Sequence, residues 1–137
     1  MAPELRIGDK ILVNMVIYRF QSPKRGDVIL FPYPLNPKKL FLKRIIGLPN
    51  EQVKIADGKV YINGQPMPSN HKYLNVEAWQ FGKTGQVIQI PSDSYFVLGD
   101  NSAYSADSRQ WGFVKKKSVK GKVVFIFSPE NRRKKIS

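Results

Sequence analysis

Lysine and serine are the residues through which this chain could do nucleophilic or acid–base chemistry. It has no cysteine, which removes thiolate nucleophiles, thiolate metal sites and disulfides together. Its one histidine, His71, stands between Asn70 and Lys72 in a polar stretch. A Ser-His-Asp arrangement or a metal site needs partners that this stretch does not offer, so His71 reads as a surface residue. Lys43 lies within Phe41-Leu42-Lys43-Arg44-Ile45-Ile46. Strand alternation puts Phe41, Lys43 and Ile45 on one face and Leu42, Arg44 and Ile46 on the other. If the first face is buried, the ammonium is desolvated and its pKa falls, the condition for a lysine general base. The same spacing also suits an edge-strand lysine that blocks aggregation.

A second cluster is GDNSAYSADSRQWG, residues 99–112, which gathers Asp100, Asn101, Asp107 and Arg109 around Ser102, Ser105 and Ser108. Such a stretch is too polar for a buried strand. It reads as a loop whose side chains bond to backbone or to one another. Asp107 and Arg109 can pair on one side of an extended segment. Ser105 can donate and accept a hydrogen bond, as a group that orients a neutral lysine must. A purely structural, well-bonded loop has the same composition. The tripeptide Arg25-Gly26-Asp27 reads as a turn between strands.

The elements that must position these residues are short β-type runs with turn signals between them, and no segment keeps a helical period. Lys10 to Val13 and Val16 to Phe20 read as strand. Asp27 to Phe31 follows the turn at Lys24-Arg25-Gly26. Leu40 to Gly47 is reached through a loop containing Pro32, Pro34 and Pro37. In VKIADGKVYING, a two-residue Asp57-Gly58 turn sets Ile55 opposite Val60 and Val53 opposite Ile62, four β-branched residues on one face. Residues 65–85 are polar, carry prolines and glycines, and predict a long excursion with little regular structure. Gln86 to Ile90, Tyr95 to Leu98 and Lys122 to Phe127 read as strands. The pattern is mainly β, a barrel or sandwich, and the 137 residues suit a single domain with one modest core.

Lys plus Arg number 23 against 10 Asp plus Glu, a net charge of +13. From Trp111 onward the bases are Lys115, Lys116, Lys117, Lys120, Lys122, Arg132, Arg133, Lys134 and Lys135, against the single acid Glu130. Arg132 to Lys135 reads as a solvated tail. Such an excess favours nucleic acid, anionic lipid or acidic partners, or simply solubility. Val123 to Phe127 is the longest apolar run, far short of the roughly 20 residues of a membrane helix. Glu4, Arg6 and Asp9 interrupt the opening residues, which do not read as a signal peptide.

The sequence resembles the type I signal peptidases, membrane-bound serine–lysine proteases that remove signal peptides from exported proteins. The likeness rests on MAPELRIGDKILVN, on SPKRGDVILF, on LKRIIGLPNEQV with DGKVYING, and on YFVLGDNSAYSADSRQWGFV, in the family's order and over nearly the whole chain. The short excursion between the last two matches the compact Gram-positive or cyanobacterial form. The resemblance implies coiled antiparallel β-sheets and one catalytic domain over 1–137, with no metal or cofactor. Lys43 falls on the general-base lysine, and Ser105 on the serine that hydrogen-bonds it. Asp107 and Arg109 fall on the loop's ion pair, and Asp100 is expected to pair with Arg44. Met1, Pro3, Leu5 and Leu42 fall on the wall of shallow pockets for small side chains before the cleaved bond. The family's nucleophilic serine precedes the position of Met1. The expectation is therefore a truncated catalytic domain, cut from its membrane anchor and its serine and inactive as it stands. Signal peptides are the implied partners, and the membrane lipid surface is a further one, met by a basic face. The implied location is the extracytoplasmic side of the bacterial cytoplasmic membrane, or the thylakoid membrane.

Two other readings use the same residues. A basic β-barrel could bind nucleic acid through its lysines, with Tyr18, Phe20, Tyr33 and Phe41 as stacking groups; the resemblance implies no specific nucleic-acid partner. A self-cleaving repressor domain shares the serine–lysine arrangement, but the chain contains no helix-turn-helix segment.

Overall fold

The computed structural model describes residues 10–128 and 134–135. In chain order the strands are β1 (Lys10–Asn14), β2 (Val28–Tyr33), β3 (Asn36–Gly47), β4 (Gln52–Ala56), β5 (Lys59–Ile62) and β6 (Gln65–Pro66). They continue with β7 (Ile88–Gln89), β8 (Ser94–Leu98), β9 (Val114–Lys115), β10 (Gly121–Ser128) and β11 (Lys134–Lys135). Among the described residues one α-helical turn, α1 (Ser108–Trp111), and three 3₁₀ turns interrupt them. Among the described residues one sheet runs β1-β10-β2-β3-β8-β9 with β11 on β10, and a second runs β6-β5-β4-β7. Every pairing is antiparallel. No helix among the described residues is long and apolar enough to cross a membrane.

Two apolar clusters share the central strands. Tyr95-Phe96-Val97-Leu98 is continuously apolar because β8 is buried on both faces. Tyr95 and Val97 join Ile29, Phe31, Ile45 and Val114. Phe96 and Leu98 join Ile46, Val53, Ile55, Val60, Tyr73, Ile88 and Ile90. β3 divides in the same way, Ile45 to one cluster and Ile46 to the other. A bulge between Ile45 and Gly47 bends it there. A Cβ on Gly47 would lie 2.7 Å from Val53 Cγ2 and would strike the Ile90 side chain. Only glycine lets the two sheets meet at this bend.

The hairpin of β4 and β5 has the expected register, Ile55 opposite Val60 and Val53 opposite Ile62. Asp57 and Gly58 have φ of 54° and 77°, as a type I′ turn requires. Three expectations need correcting. Val16 to Phe20 is not a strand. The Asn14 side-chain oxygen accepts from Val16 N and Ile17 N at 3.0 Å each, and Ile17–Arg19 forms a 3₁₀ turn. The asparagine offers the backbone a local partner that competes with the sheet. The proline-rich segment is not a loop either. β2 and β3 pair through it to Pro32 opposite Leu40 and Tyr33 opposite Asn36, turning at Pro34-Leu35. Beyond Leu30 no strand among the described residues pairs with the other side of β2, and a proline costs least on such an open edge. Lys134 and Lys135, read as solvated tail, pair with Ile126 and Phe125 on β10.

Candidate active site

Lys43 lies on β3 opposite Ile29 of β2, and from Arg44 onward β8 takes the other side of β3. Lys43 Nζ donates to Ser105 Oγ at 2.9 Å and stands 5.5 Å from the centre of the Phe41 ring. Desolvation pushes the lysine pKa down from its ordinary value. The Asp107 carboxylate opposes that shift, the Arg109 guanidinium adds to it, and Asp100 opposes it more weakly. Gly99 makes this approach possible: a Cβ there would occupy the position of Ser105 Oγ and come within 3.5 Å of Lys43 Nζ.

Ser105 is buried and is held through its backbone, whose carbonyl accepts from Arg109 Nη2 at 2.9 Å. Arg109 is itself fully buried. Its Nε donates to Asp107 Oδ1 at 2.8 Å and its Nη2 to Asp107 Oδ2 at 3.0 Å. Nη1 donates to Leu74 O and Ser102 Oγ at 2.8 Å each, and Nη2 also reaches Ser102 O at 2.9 Å. Asp107 does more than pair. It caps α1 by accepting from Arg109 N at 3.1 Å, and it accepts from Gly99 N at 3.0 Å. The expected extended segment is therefore a helix start, and the pair is made by the cap. Ser108 Oγ accepts from Val97 N at 2.8 Å. The loop is thus bonded to the end of β8 at two points.

On the neighbouring side of β3, Arg44 Nε and Nη2 donate to the two oxygens of Asp100 at 2.9 Å each, and Nη1 donates to Gly26 O at 2.8 Å. The pairing expected of Asp100 and Arg44 is present, with the Asp100 side chain fully buried. His71, read as a surface residue, is partly exposed, and its Nε2 lies 3.8 Å from Asp100 Oδ1. Leu42 is half-buried on β3 beside Lys43. Met1, Pro3 and Leu5 lie outside the described residues. The structure therefore brings Lys43, Ser105, Asp107, Arg109, Asp100 and Arg44 into one neighbourhood. Residue reading missed Gly99, Ser102, Ser108 and the Leu74 carbonyl. For Gly99, Ser102 and Ser108 the sequence signal was the density of small polar residues in 99–108; the Leu74 carbonyl had none.

The aromatic residues considered for base stacking do not form a platform. Tyr18 donates to Asp27 Oδ2 at 2.8 Å, and burial with that bond pushes its hydroxyl pKa up. Tyr33 stacks on Phe41 at 4.3 Å, and Trp111 meets both edge-on. Phe20 alone of the four is exposed as a large apolar side chain.

The family model described as "Signal peptidase, peptidase S26" matches residues 1–128. The signal peptidase I of Leptolyngbya laminosa is 39% identical, over 96% of this chain and 66% of its own length. The probable signal peptidase I-2 of a Synechocystis strain is 36% identical, over 96% of this chain and 61% of its own. The chain thus spans a little under two thirds of these two relatives. The crystal structure of a signal peptidase I from Enterococcus faecalis aligns with a TM-score of 0.63 at 37% identity, over 74% of this chain and 97% of that one.

Proposed function

Because the chain belongs to the signal peptidase family, peptidase S26, we propose that residues 1–137 act as one catalytic domain that removes signal peptides from exported preproteins by serine–lysine chemistry. The observation that supports this best is the desolvated Lys43 ammonium, 2.9 Å from Ser105 Oγ, where the open edge of β3 ends. The nucleophile is the serine that precedes the position of Met1 in the family's order. Lys43 takes the proton of its hydroxyl as the Oγ–carbon bond forms, and returns it to the amine as the carbon–nitrogen bond breaks. A water then attacks the ester, its proton passing through Lys43 back to the serine. Ser105 holds the lysine in place, and the Asp107–Arg109 pair holds Ser105. Asp100 and Arg44 fix the strand beside it. The family's order assigns the pockets for small side chains to Met1, Pro3, Leu5 and Leu42. An extended substrate adds a strand along residues 36–43 of β3, which pair with nothing on that side among the described residues.

Adding a serine before Met1 and assaying a fluorogenic signal-peptide substrate tests this reading. Cleavage after a small residue is expected, and Lys43→Ala lowers kcat/KM by about 10²–10⁴-fold. Cleavage that survives Lys43→Ala sinks the role given to the lysine. The site of action is a membrane surface: the extracytoplasmic face of the bacterial cytoplasmic membrane, or the thylakoid membrane. The net charge of +13 suits anionic headgroups. Cosedimentation with anionic vesicles in preference to neutral ones is expected, and equal binding removes this part of the proposal.

A further inference from the structure

Residues 73–85 are bonded both to the hairpin of β4 and β5 and to the loop that carries Ser105. Tyr73 N donates to Gly58 O at 3.1 Å and Gly85 N to Ile55 O at 3.0 Å. Asn75 Nδ2 donates to Ile55 O at 2.9 Å and to Gly82 O at 3.2 Å. Between these points the chain folds back on itself. Val76 N donates to Gly82 O at 2.8 Å, Trp79 N to Val76 O at 3.0 Å and Gly82 N to Trp79 O at 3.1 Å. Gly82 permits this closeness, since a Cβ there would lie 2.8 Å from Val76 O and 3.3 Å from Arg109 Cβ. The folded segment grips the Arg109 loop at two points. Phe81 N donates to Arg109 O at 3.0 Å. Leu74 N donates to Ser102 Oγ at 2.9 Å, the hydroxyl that also accepts from Arg109 Nη1.

This grip sets the Trp79 ring against the guanidinium, with Arg109 Cζ 5.4 Å from the ring centre. Each side-chain N–H of Arg109 already has an acceptor, so the ring adds no hydrogen bond. It adds a π face that attracts a desolvated cation, and it shields those bonds from water. What depends on them is Ser105, whose carbonyl accepts from Arg109 Nη2 at 2.9 Å and whose hydroxyl accepts from Lys43 Nζ at 2.9 Å. We propose that Trp79 is a positioning residue for the reaction: its ring seats Arg109, Arg109 fixes Ser105, and Ser105 sets the Lys43 ammonium. The part given to Lys43 rests on the peptidase reading above.

Two readouts test this. On the chain as it stands, the Lys43 titration is followed through the NMR chemical shift of its Cε. Asp107, Arg109 and Asp100, the charged groups that act on Lys43, are all retained in Trp79→Ala, so a moved midpoint reports a moved ammonium. The midpoint is expected to rise by about one pH unit towards the ordinary 10.5, as a displaced Ser105 admits water to the amine. In the serine-extended chain, Trp79→Ala is expected to lower kcat about tenfold and to leave KM within about twofold, a lost cation–π contact read through a misplaced base. Trp79→Phe, which keeps a ring face, restores the midpoint and brings kcat to within about threefold of wild type. Trp79→Leu, apolar without that face, behaves as Trp79→Ala does and carries the test if the alanine chain does not fold. An unmoved midpoint, a loss that appears in KM instead of kcat, equal losses for Trp79→Phe and Trp79→Leu, or loss of fold in both Trp79→Ala and Trp79→Leu would each overturn the proposal. If the midpoint moves as expected but the serine-extended wild type cleaves no substrate, the peptidase reading falls and Trp79 stands as the residue that seats Lys43.

Discussion

A fully buried cation and a half-buried one lie within one loop's reach of each other, and their surroundings differ in kind. Arg109 has six side-chain hydrogen bonds, two of them to a carboxylate, and a Trp79 ring 5.4 Å away. Lys43 has Ser105 Oγ as its side-chain hydrogen-bond partner and a Phe41 ring beside it. A guanidinium presents five fixed donors and is always charged, so it suits a site that satisfies all of them. An ammonium gives up its proton when poorly solvated. On the proposed reading, full burial with every donor satisfied makes a structural anchor of Arg109, and partial burial with one partner makes a base of Lys43. The number of acceptors supplied decides which.

The largest effect comes from breaking the better-satisfied side. Arg109→Ala leaves Asp107 buried and unpaired, and strands the acceptors at Leu74, Ser102 and Ser105. A loss of about 3–5 kcal/mol in urea unfolding is expected. Arg109→Lys recovers little, because an ammonium cannot span both Asp107 oxygens and three backbone carbonyls. A loss below about 1 kcal/mol for Arg109→Ala would mean that this cage is not what holds the loop.

A smaller effect, read in activity, comes from loosening the sparse side. Ser105→Ala removes the side-chain partner of Lys43 while the backbone carbonyl of residue 105 still accepts from Arg109. In the serine-extended chain, kcat/KM is expected to fall about 10²-fold from a misplaced base. Unfolding free energy changes by only about 1 kcal/mol. Equal losses in both measurements would make Ser105 structural. Gly99→Ala should copy the activity loss without removing any hydrogen-bonding group, because its methyl displaces Ser105 Oγ from Lys43.

What could be read beforehand follows the same division. Local chemistry was legible: Asp57-Gly58 set the hairpin register, the alternation around Lys43 put it on the Phe41 and Ile45 face, and the polar loop marked Ser105, Asp107 and Arg109. Long-range acceptors were not. Leu74 O lies 35 residues from Arg109, and any residue type supplies a carbonyl. Ser102 and Ser108 look like their neighbours until the fold shows which backbone N–H each one meets. His71 reached the neighbourhood of Asp100 because Tyr73 is drawn into the core two residues later, and no period in residues 65–85 announces that. Val16 to Phe20 has strand-like composition, yet one asparagine oxygen turns it.

The smallest prediction is the sharpest for the comparison, since it asks whether Lys43 is costly to the fold. Burial lowers its pKa below the ordinary 10.5, so below the folded-state pKa the native protein carries a charge that the unfolded chain solvates better. Between that lowered value and 10.5 the unfolded chain binds more protons than the native one, and wild-type stability rises with pH through this window. Lys43→Met keeps the length of the side chain and removes the charge. It should raise stability by about 1 kcal/mol at neutral pH, the low end for replacing buried charge by apolar volume because the lysine is only half-buried. The gain should shrink as pH climbs through this window and vanish well above 10.5, where the lysine is neutral in both states. Arg109→Met, with every acceptor left orphaned, should destabilise at every pH. If Lys43→Met were destabilising by a similar amount, the two cations would be doing the same job and the contrast in their hydrogen bonding would carry no meaning for catalysis.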